Sequence, residues 1–213
     1  RRQRQMCIRD SVSSSPYTSN VKSVEQCAAS GAGAVVLKSI FEEQILHHAA
    51  ALDTVSDSAY GDAEVYLQRY LGEDYKAGFL RLVQEARSKT ELPVIASINC
   101  VVDKGDWIEY ATAMADAGAS ALELNIFIQS TDIHAQAREL ELNYAEIVGR
   151  VAGAVKIPVS VKLPMRLTNV FALSSALLGH GARGVVFFNR FFEPDVDLSL
   201  IHISEPTRPR LIS

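Results

Sequence analysis

The feature that most constrains the fold of this chain is a short pattern, a glycine followed by a small residue, that occurs three times between a helical and an apolar segment. We call this pattern the glycine punctuation. It is found in ASGAGAVVL (29–37), ADAGASALEL (115–124) and GHGARGVVF (179–187). In each stretch a helical pattern ends at a glycine, a small residue follows, and an apolar run begins. Glycine ends a helix without the steric penalty of a Cβ atom. The repeat therefore predicts a chain that alternates helix and strand.

Short apolar runs recur along the chain and are almost continuously apolar. This character favours strands that are buried on both faces of a parallel sheet. The end of an earlier strand is predicted at 12–15, before a turn at Pro16–Thr18. The five complete runs are AVVLK (34–38), PVIASI (93–98), SALELNI (120–126), PVSVKL (158–163) and RGVVFFN (183–189).

Helical periodicity separates these runs. Apolar side chains recur at helical spacing in three stretches, and Asp106 is placed to cap the second of them. The three apolar faces are Tyr75, Phe79, Leu82, Val83 and Ala86; Trp107, Tyr110, Ala111 and Met114; and Leu140, Tyr144, Ile147, Val148 and Val151.

Strand–helix alternation favours either a doubly wound sheet or a (β/α)8 barrel. No G-x-G-x-x-G follows any strand, which disfavours a dinucleotide-binding sheet. A complete barrel usually takes about 250 residues, whereas residues 12–197 are 186 residues with six predicted βα units. The sequence therefore predicts an α/β fold, specifically a (β/α)8 TIM barrel truncated to about six βα units.

The two ends of the chain differ in character from the residues between them. RQRQMCIRDS near the start and LSLIHISEPTR from Leu198 both resemble conceptual translations of a transposase-end sequencing adapter. We therefore expect residues 1–11 and 198–213 to be adapter-like scars that are not native, and residues 12–197 to be the partial barrel. The alternative is a native capping segment at the start and a native basic tail at the end.

Composition and charge exclude several classes of function. The chain has 21 basic and 25 acidic residues, of which the two terminal segments hold six and two, so residues 12–197 have a net charge of −8. This charge gives no reason to expect nucleic acid as a partner. No apolar run approaches the roughly 20 residues of a membrane helix, so no membrane partner is expected. Cys27 and Cys100 predict neither a disulfide framework nor a metal site, which favours the cytoplasm.

Polar residues lie where each predicted strand ends, at the edge where a barrel carries its active site. Amides and lysines dominate, which is poorly suited to hydrolysis. Asparagine suits the alternating donors and acceptors of a planar heterocycle, and lysine suits negative charge that develops on it. The alternative for each lysine is an ordinary exposed strand end. In strand order these residues are Ser14 and Ser15, Lys38 and Ser39, Asn99 and Cys100, Asn125, Lys162, and Asn189 and Arg190.

At these residues the chain resembles the dihydroorotate dehydrogenase family, in particular its class 1-like, FMN-containing barrels. The motifs are GAGAVVLKS, PVIASI, ALELN, IPVSVKL and the strand ending FFNR, and the runs KSIFEEQI and FNRFFEPD are similar to a dihydroorotate dehydrogenase-like subgroup. The resemblance implies an FMN-dependent flavoprotein that oxidises dihydroorotate to orotate in pyrimidine biosynthesis. It implies a dihydropyrimidine as small-molecule substrate and a homodimer at full length. The fragment by itself is expected to be inactive.

The resemblance also implies a role for each strand-end residue. Lys162 matches the lysine of the family's VK motif, near the flavin N1–O2 edge, where positive charge stabilises reduced flavin. Asn189 matches the asparagine that binds the orotate ring. The implied FMN-binding residues are Ser14, Ser15, Lys38, Ser39, Asn99, Asn125 and Lys162, and the implied substrate-binding residues are Lys38, Asn125 and Asn189.

The catalytic base departs from the family's pattern. After the strand-four asparagine the class 1 enzymes carry S-C-P-N, whose cysteine removes the C5 proton, whereas Ile128 stands at the position of that cysteine. Isoleucine cannot accept a proton. Ser130, on the following loop, is the first candidate for the base. Cys100 is the second, although a cysteine that ends a strand is more often a small buried hydrophobe.

Two other interpretations stay open. The replacement at Ile128 favours a flavin- or pyrimidine-binding barrel without dehydrogenase activity. The third interpretation is an unrelated phosphate-binding barrel, such as a lyase or synthase, in which a strand-end lysine would form a Schiff base.

Overall fold

The computed structural model describes residues 10–41, 76–99, 106–128, 134–165 and 167–189. Strands and helices alternate along these ranges, as the sequence predicts. The strands are β1 (Ser11–Val12), β2 (Ala34–Val36), β3 (Ile40–Phe41), β4 (Val94–Asn99), β5 (Ala121–Asn125), β6 (Val159–Leu163) and β7 (Gly184–Phe187). The helices are α1 (Val21–Ala29), α2 (76–89), α3 (Asp106–Asp116), α4 (Ala137–Ala154) and α5 (Val170–Gly179), and a single 3-10 turn covers Pro16–Thr18.

The strands of the described ranges form one parallel sheet in the order β1-β2-β4-β5-β6-β7. β3 also pairs with β4, and because β5 occupies the other edge of β4, β3 lies on the same side as β2. β2 and β3 thus share one position in the sheet. The six positions curl into a half-barrel. The α/β fold is confirmed, and the six positions agree with the six predicted βα units.

The strand predicted at 34–38 ends at Val36 in the structure, and a second short strand follows at Ile40–Phe41. Between β2 and β3 the register against β4 shifts by one residue. Here Lys38 N donates to Thr18 O at 3.2 Å, and Ser39 N donates to Ser14 Oγ at 3.0 Å. These bonds hold Lys38 and Ser39 against the segment that follows β1, whereas Leu37 N still donates to Ile95 O of β4.

The three predicted helix-ending glycines adopt the conformation that the punctuation requires. Gly31, Gly118 and Gly181 have φ angles of +84°, +96° and +105°. After each glycine, one N–H closes the end of the helix and the next N–H begins pairing with the neighbouring strand. The helix-closing bonds run from Ala32 to Cys27, Ala119 to Met114 and Ala182 to Leu177, and the strand bonds from Gly33 to Asp10, Ser120 to Val94 and Arg183 to Val159. The repeat is confirmed as one helix-to-strand joint used three times.

The hydrophobic core lies between one face of the sheet and the helices, and it confirms most of the predicted apolar faces. In α2 and α3 these faces are buried or half-buried, and the same holds for α4. Tyr75 lies outside the described residues. The fully or nearly fully buried members of the three faces are Phe79, Val83, Ala86, Trp107, Ala111, Met114, Tyr144, Val148 and Val151.

The other face of the sheet is also buried, as predicted, but polar side chains line part of it. In β5, Leu122 and Leu124 belong to the core, whereas Glu123 and Asn125 alternate with them and lie on the opposite face. Lys162 of β6 is in register with Asn125, so the two occupy the same face. Side-chain direction alternates along a strand, and in this protein the alternation separates an apolar outer face from a polar inner one.

Most of the two predicted terminal scars lies outside the described residues. The exceptions are Asp10 and Ser11. Asp10 O accepts a hydrogen bond from Gly33 N at 2.8 Å, and Ser11 pairs with Ala34. β1 therefore begins one residue before the boundary predicted at position 12.

Candidate functional site

The polar face of the sheet forms the candidate site. Among the described residues, the buried polar and charged side chains converge on this face or on the turn after β1. Three of them, Ser39, Asn125 and Lys162, are predicted site residues. The full set is Thr18, Ser39, Ser97, Glu123, Asn125 and Lys162.

A buried ion pair lies at the centre of this face. Lys162 Nζ is 2.8 Å from Glu123 Oε1, and the two side chains are only 9% and 4% exposed. The sheet register explains the contact, because Lys162 pairs with Asn125 and Glu123 lies two residues earlier on the same face of β5. Burial of a single charge is costly unless it is paired, so each residue makes the burial of the other tolerable.

A chain of hydroxyl groups leads to the same carboxylate. Ser97 Oγ donates to Glu123 Oε1 at 3.3 Å. Ser97 Oγ also lies 2.7 Å from Ser39 Oγ, which in turn lies 3.2 Å from Ser14 Oγ. The predicted residues Ser14 and Ser39 are thus linked through Ser97 to the ion pair.

Two predicted asparagines meet beside Lys162. Asn189 Nδ2 donates to Asn125 Oδ1 at 2.9 Å, and Asn189 N donates to Leu163 O at 2.8 Å. Asn125 is 6% exposed. The structure therefore brings Asn125, Lys162 and Asn189 together at the carboxyl ends of three adjacent strands.

The remaining described candidates lie at the margin of this cluster. Asn99 is the half-buried last residue of β4, and Lys38 is half-buried next to Ser39. Ser15 acts through its backbone: its N–H donates to Thr18 Oγ1 at 3.1 Å, and Thr18 Oγ1 donates back to Ser15 O at 3.0 Å. Thr18 is fully buried, so this exchange fixes the turn that carries Ser14.

Both candidates for the catalytic base, Ser130 and Cys100, lie outside the described residues, as does Arg190. The segment that leads toward Ser130 is described as far as Ile128. Ile128 N donates to the hydroxyl of Tyr144 on α4 at 3.0 Å. Burial raises the pKa of the Tyr144 phenol, and the bond from Ile128 opposes this rise in pKa. Tyr144 therefore holds the end of this segment as a neutral acceptor.

Sequence reasoning missed Glu123 and Ser97. The signal for Glu123 was present, because ALELN places a glutamate in the middle of a strand that is otherwise apolar. A glutamate in such a position needs a cation, and Lys162 stands near the end of the next strand. The signal for Ser97 is weaker, since a small serine within a strand is compatible with simple packing.

The donor set fits the edge of a planar heterocycle such as the flavin of FMN. The inner face offers an ammonium group at Lys162, amide donors and acceptors at Asn125 and Asn189, and a hydroxyl at Ser39. A flavin edge alternates acceptors and donors in the same way. In the described ranges no cluster of three or more His, Cys, Asp or Glu side chains is arranged to hold a metal ion, and no described helix has both the length and the apolar character to cross a membrane.

Comparison with curated proteins reveals two relatives that share a name. The chain is 33% identical over 123 residues to a protein of Aeropyrum pernix named as dihydroorotate dehydrogenase A (fumarate), covering 55% of this chain and 38% of the relative. It is 30% identical over 185 residues to the catalytic subunit of dihydroorotate dehydrogenase B (NAD(+)) of Methanocella arvoryzae, covering 83% of this chain and 56% of the relative. The chain thus spans about half the length, or less, of these relatives. No protein-family model matches the chain.

Comparison with solved structures establishes the fold. Dihydrodipicolinate synthase from Agrobacterium tumefaciens superposes with a TM-score of 0.51 at 13% identity, over 83% of this chain and 53% of the synthase. A protein described as a phosphonomutase, from Burkholderia cenocepacia, superposes with a TM-score of 0.50 at 15% identity, over 82% of this chain and 67% of that protein. These neighbours are TIM-barrel enzymes. The chain therefore has the architecture of part of a TIM barrel and a distant family link to the dihydroorotate dehydrogenases.

Proposed function

We propose that residues 12–197 are part of an FMN-binding TIM barrel whose complete form is an oxidoreductase resembling dihydroorotate dehydrogenase. The observation that carries the proposal is the convergence of Lys162, Asn125 and Asn189 at the carboxyl ends of adjacent strands. A cation beside two amides complements the negative charge of a reduced flavin and the donors and acceptors of a pyrimidine ring. The names of the two curated relatives point to the same chemistry.

The proposal gives each group a task. Lys162 supplies positive charge beside the flavin edge, and Asn125 and Asn189 orient the pyrimidine ring through their amides. FMN, when bound, supplies the acceptor for the hydride that leaves C6 of the dihydropyrimidine. The C5 proton goes to Ser130 or, as the second candidate, to Cys100. The assigned FMN-binding residues are Ser14, Ser15, Lys38, Ser39, Asn99, Asn125 and Lys162, with Lys38 also assigned to the substrate.

A second candidate function is a lyase or synthase that uses Lys162 as a Schiff-base lysine. The deep burial of Lys162 favours it, because many such amines are enclosed in apolar surroundings. The position of Glu123 opposes it. Nζ lies 2.8 Å from Glu123 Oε1 in a buried ion pair, whereas attack on a carbonyl requires an amine with a free lone pair. The ion pair therefore favours electrostatic stabilisation over covalent catalysis.

The test uses the protein with its native flanking sequence, purified and examined by absorbance. Bound FMN together with conversion of dihydroorotate to orotate would support the proposal. Bound flavin without turnover would favour the barrel that has lost dehydrogenase activity. A colourless protein that borohydride links covalently to an α-keto acid at Lys162 would overturn the proposal in favour of the Schiff-base lysine. Sedimentation of the same sample tests the expected homodimer.

A further inference from the structure

Glu123 has no task in the proposed chemistry, yet it lies in the middle of the site. Among the described residues, Glu123 and Lys162 are the two charged residues that are buried. Glu123 lies two residues before Asn125 on the same face of β5, and its carboxylate contacts the lysine assigned to the flavin edge.

We propose that Glu123 is a positioning residue for Lys162, which fixes the ammonium group and sets the net charge that the site presents to an anionic ligand. Where that ligand is FMN, the inference rests on the proposed function. The pairing itself needs no ligand, so it is testable on its own.

The direction of the hydrogen bonds supports this role. A serine hydroxyl has one proton, and Ser97 donates its proton to Glu123. Ser39 must therefore donate to Ser97, and Ser14 to Ser39. All three hydroxyl dipoles point toward the carboxylate, which stabilises its negative charge and fixes its orientation.

The geometry leaves the lysine available to a ligand. An ammonium group has three N–H donors, and one of them is directed at Glu123 Oε1. The fixed carboxylate thereby sets the direction of the other two. Before a ligand binds, the pair has no net charge, so Glu123 moderates the attraction that Lys162 exerts on an anion.

Removal of the Glu123 charge and removal of the Lys162 charge therefore have opposite electrostatic effects on the binding of an anionic ligand. Glu123→Gln keeps the shape of the side chain and leaves the site more positive by one charge, so it strengthens the binding of an anionic ligand. Lys162→Met leaves the site more negative and weakens that binding. Damage to the structure alone would weaken binding in both variants, so opposite signs separate the electrostatic coupling of Glu123 and Lys162 from a merely structural role.

The first experiment needs no flavin. The folded protein is treated with a small amine-acylating reagent, and the rate of modification at Lys162 is measured by peptide mass spectrometry, with Lys38 as an internal reference. Loss of the carboxylate releases the amine from its charge-assisted hydrogen bond, so Glu123→Gln should accelerate modification of Lys162 about tenfold, and Glu123→Asp should restore most of the original rate. The matched control is Glu109→Gln, which removes an exposed carboxylate paired with Lys76. An equal rate in Glu123→Gln and in the original protein would overturn the proposal.

The second experiment compares the affinity for reduced and oxidised FMN in the protein with its native flanking sequence. Glu123→Gln should raise the preference for reduced flavin about tenfold, which equals a rise of roughly 30 mV in a two-electron potential. Lys162→Met should lower the potential. Shifts in the same direction for both variants would overturn the proposal. Absence of FMN from the original protein would refute the proposed function and leave the modification experiment to decide the role of Glu123.

A folding defect in Glu123→Gln would itself be informative, because the double variant Glu123→Gln/Lys162→Met removes both charges and should fold. Recovery of folding in the double variant would support the coupling of the two side chains. If the double variant also fails to fold, the two charges do not compensate each other, and the proposal is overturned.

Discussion

Asn189 Nδ2 donates a hydrogen bond to Asn125 Oδ1 across the end of β6, over a distance of 2.9 Å. β6 lies between β5 and β7 in the sheet, so this bond joins two elements that are not neighbours. Asn125 is in register with Lys162, and Asn189 N is bonded to Leu163 O. The two amides therefore enclose the end of the strand that carries the lysine.

We expect Asn189→Ala to destabilise the protein by about 1–3 kcal/mol, because the buried Asn125 oxygen loses this donor. Urea unfolding measures the change in the free energy of unfolding. Asn143→Ala is the matched control, since Asn143 is exposed on α4 and its replacement should change stability by less than about 0.5 kcal/mol. Equal effects of the two substitutions would contradict the assigned role of the amide pair.

Lys162→Ala, in the protein with its native flanking sequence, should weaken flavin binding or slow flavin reduction. One electrostatic contact of this kind in an enclosed site is worth about 2.7–4 kcal/mol, or roughly 10²–10³-fold. Titration of FMN fluorescence and stopped-flow reduction measure the two effects. Lys76→Ala, which removes a half-buried lysine paired with the exposed Glu109, is the control. An unchanged flavin spectrum and reduction rate in Lys162→Ala would remove this lysine from the site.

The identity of the base is tested by two substitutions. If Ser130 accepts the C5 proton, Ser130→Ala should lower turnover of dihydroorotate by roughly 10²–10⁴-fold while FMN stays bound. If Cys100 accepts it, Cys100→Ala should have this effect instead. Full activity in both variants would place the base elsewhere between Gln129 and Arg138.

The three helix-ending glycines should differ in their tolerance of a side chain. A Cβ atom at Gly181 would lie 2.9 Å from Ala152 Cβ, whereas one at Gly31 would meet no atom within 4 Å. Gly31→Ala should therefore cost only the strain of a positive φ, about 1 kcal/mol. Gly181→Ala should cost about 2–4 kcal/mol, because the clash is added to that strain. Thermal unfolding of both variants compares them, and equal losses would refute the clash.

The free energy of unfolding should depend on pH in a way that reports the buried phenol of Tyr144. Burial raises its pKa above 10.0, so the folded state favours the neutral phenol. This contribution to stability is fully present below pH 10 and is lost as the pH rises through the raised pKa. Tyr144→Phe should be less stable by about 1 kcal/mol at pH 7, because Ile128 N loses its acceptor.

The difference in the free energy of unfolding between Tyr144→Phe and the original protein should become smaller above pH 10, because the variant has no phenol to ionise at position 144. Urea unfolding at pH 7 and at about pH 10.5 measures it. Tyr17→Phe is the control, because Tyr17 is 73% exposed. If the free energies of unfolding of Tyr144→Phe and of the original protein change with pH in parallel, the phenol of Tyr144 is not buried in its neutral form.

Much of the fold is predictable because it depends on local patterns. The glycine punctuation at Gly31, Gly118 and Gly181 specifies positive φ angles, and the helical spacing of Trp107 and Met114 specifies a buried face. These signals need only a few neighbouring residues. The order of the strands follows from the same alternation, since consecutive βα units place consecutive strands side by side.

The interruption between β2 and β3 was not predictable, because the bonds that cause it come from elsewhere in the chain. Ser39 N is bonded to Ser14 Oγ, 25 residues earlier, and Lys38 N is bonded to Thr18 O. A local pattern contains no information about such partners. The same limit explains why Ser97 was missed, since its role depends on Ser39 and Glu123.

By itself the sequence determined an α/β chain of alternating strands and helices with polar residues at the strand ends, because hydrophobic periodicity and glycine conformation act over short distances. Only the tertiary structure decided which polar residues meet. Parallel register placed Glu123 and Lys162 on one face of adjacent strands, and the nearly complete exclusion of water from both side chains made the pairing of these two charges a condition of their burial. The candidate site is thus defined by contacts between residues 25 to 64 positions apart, which no short segment of the chain specifies.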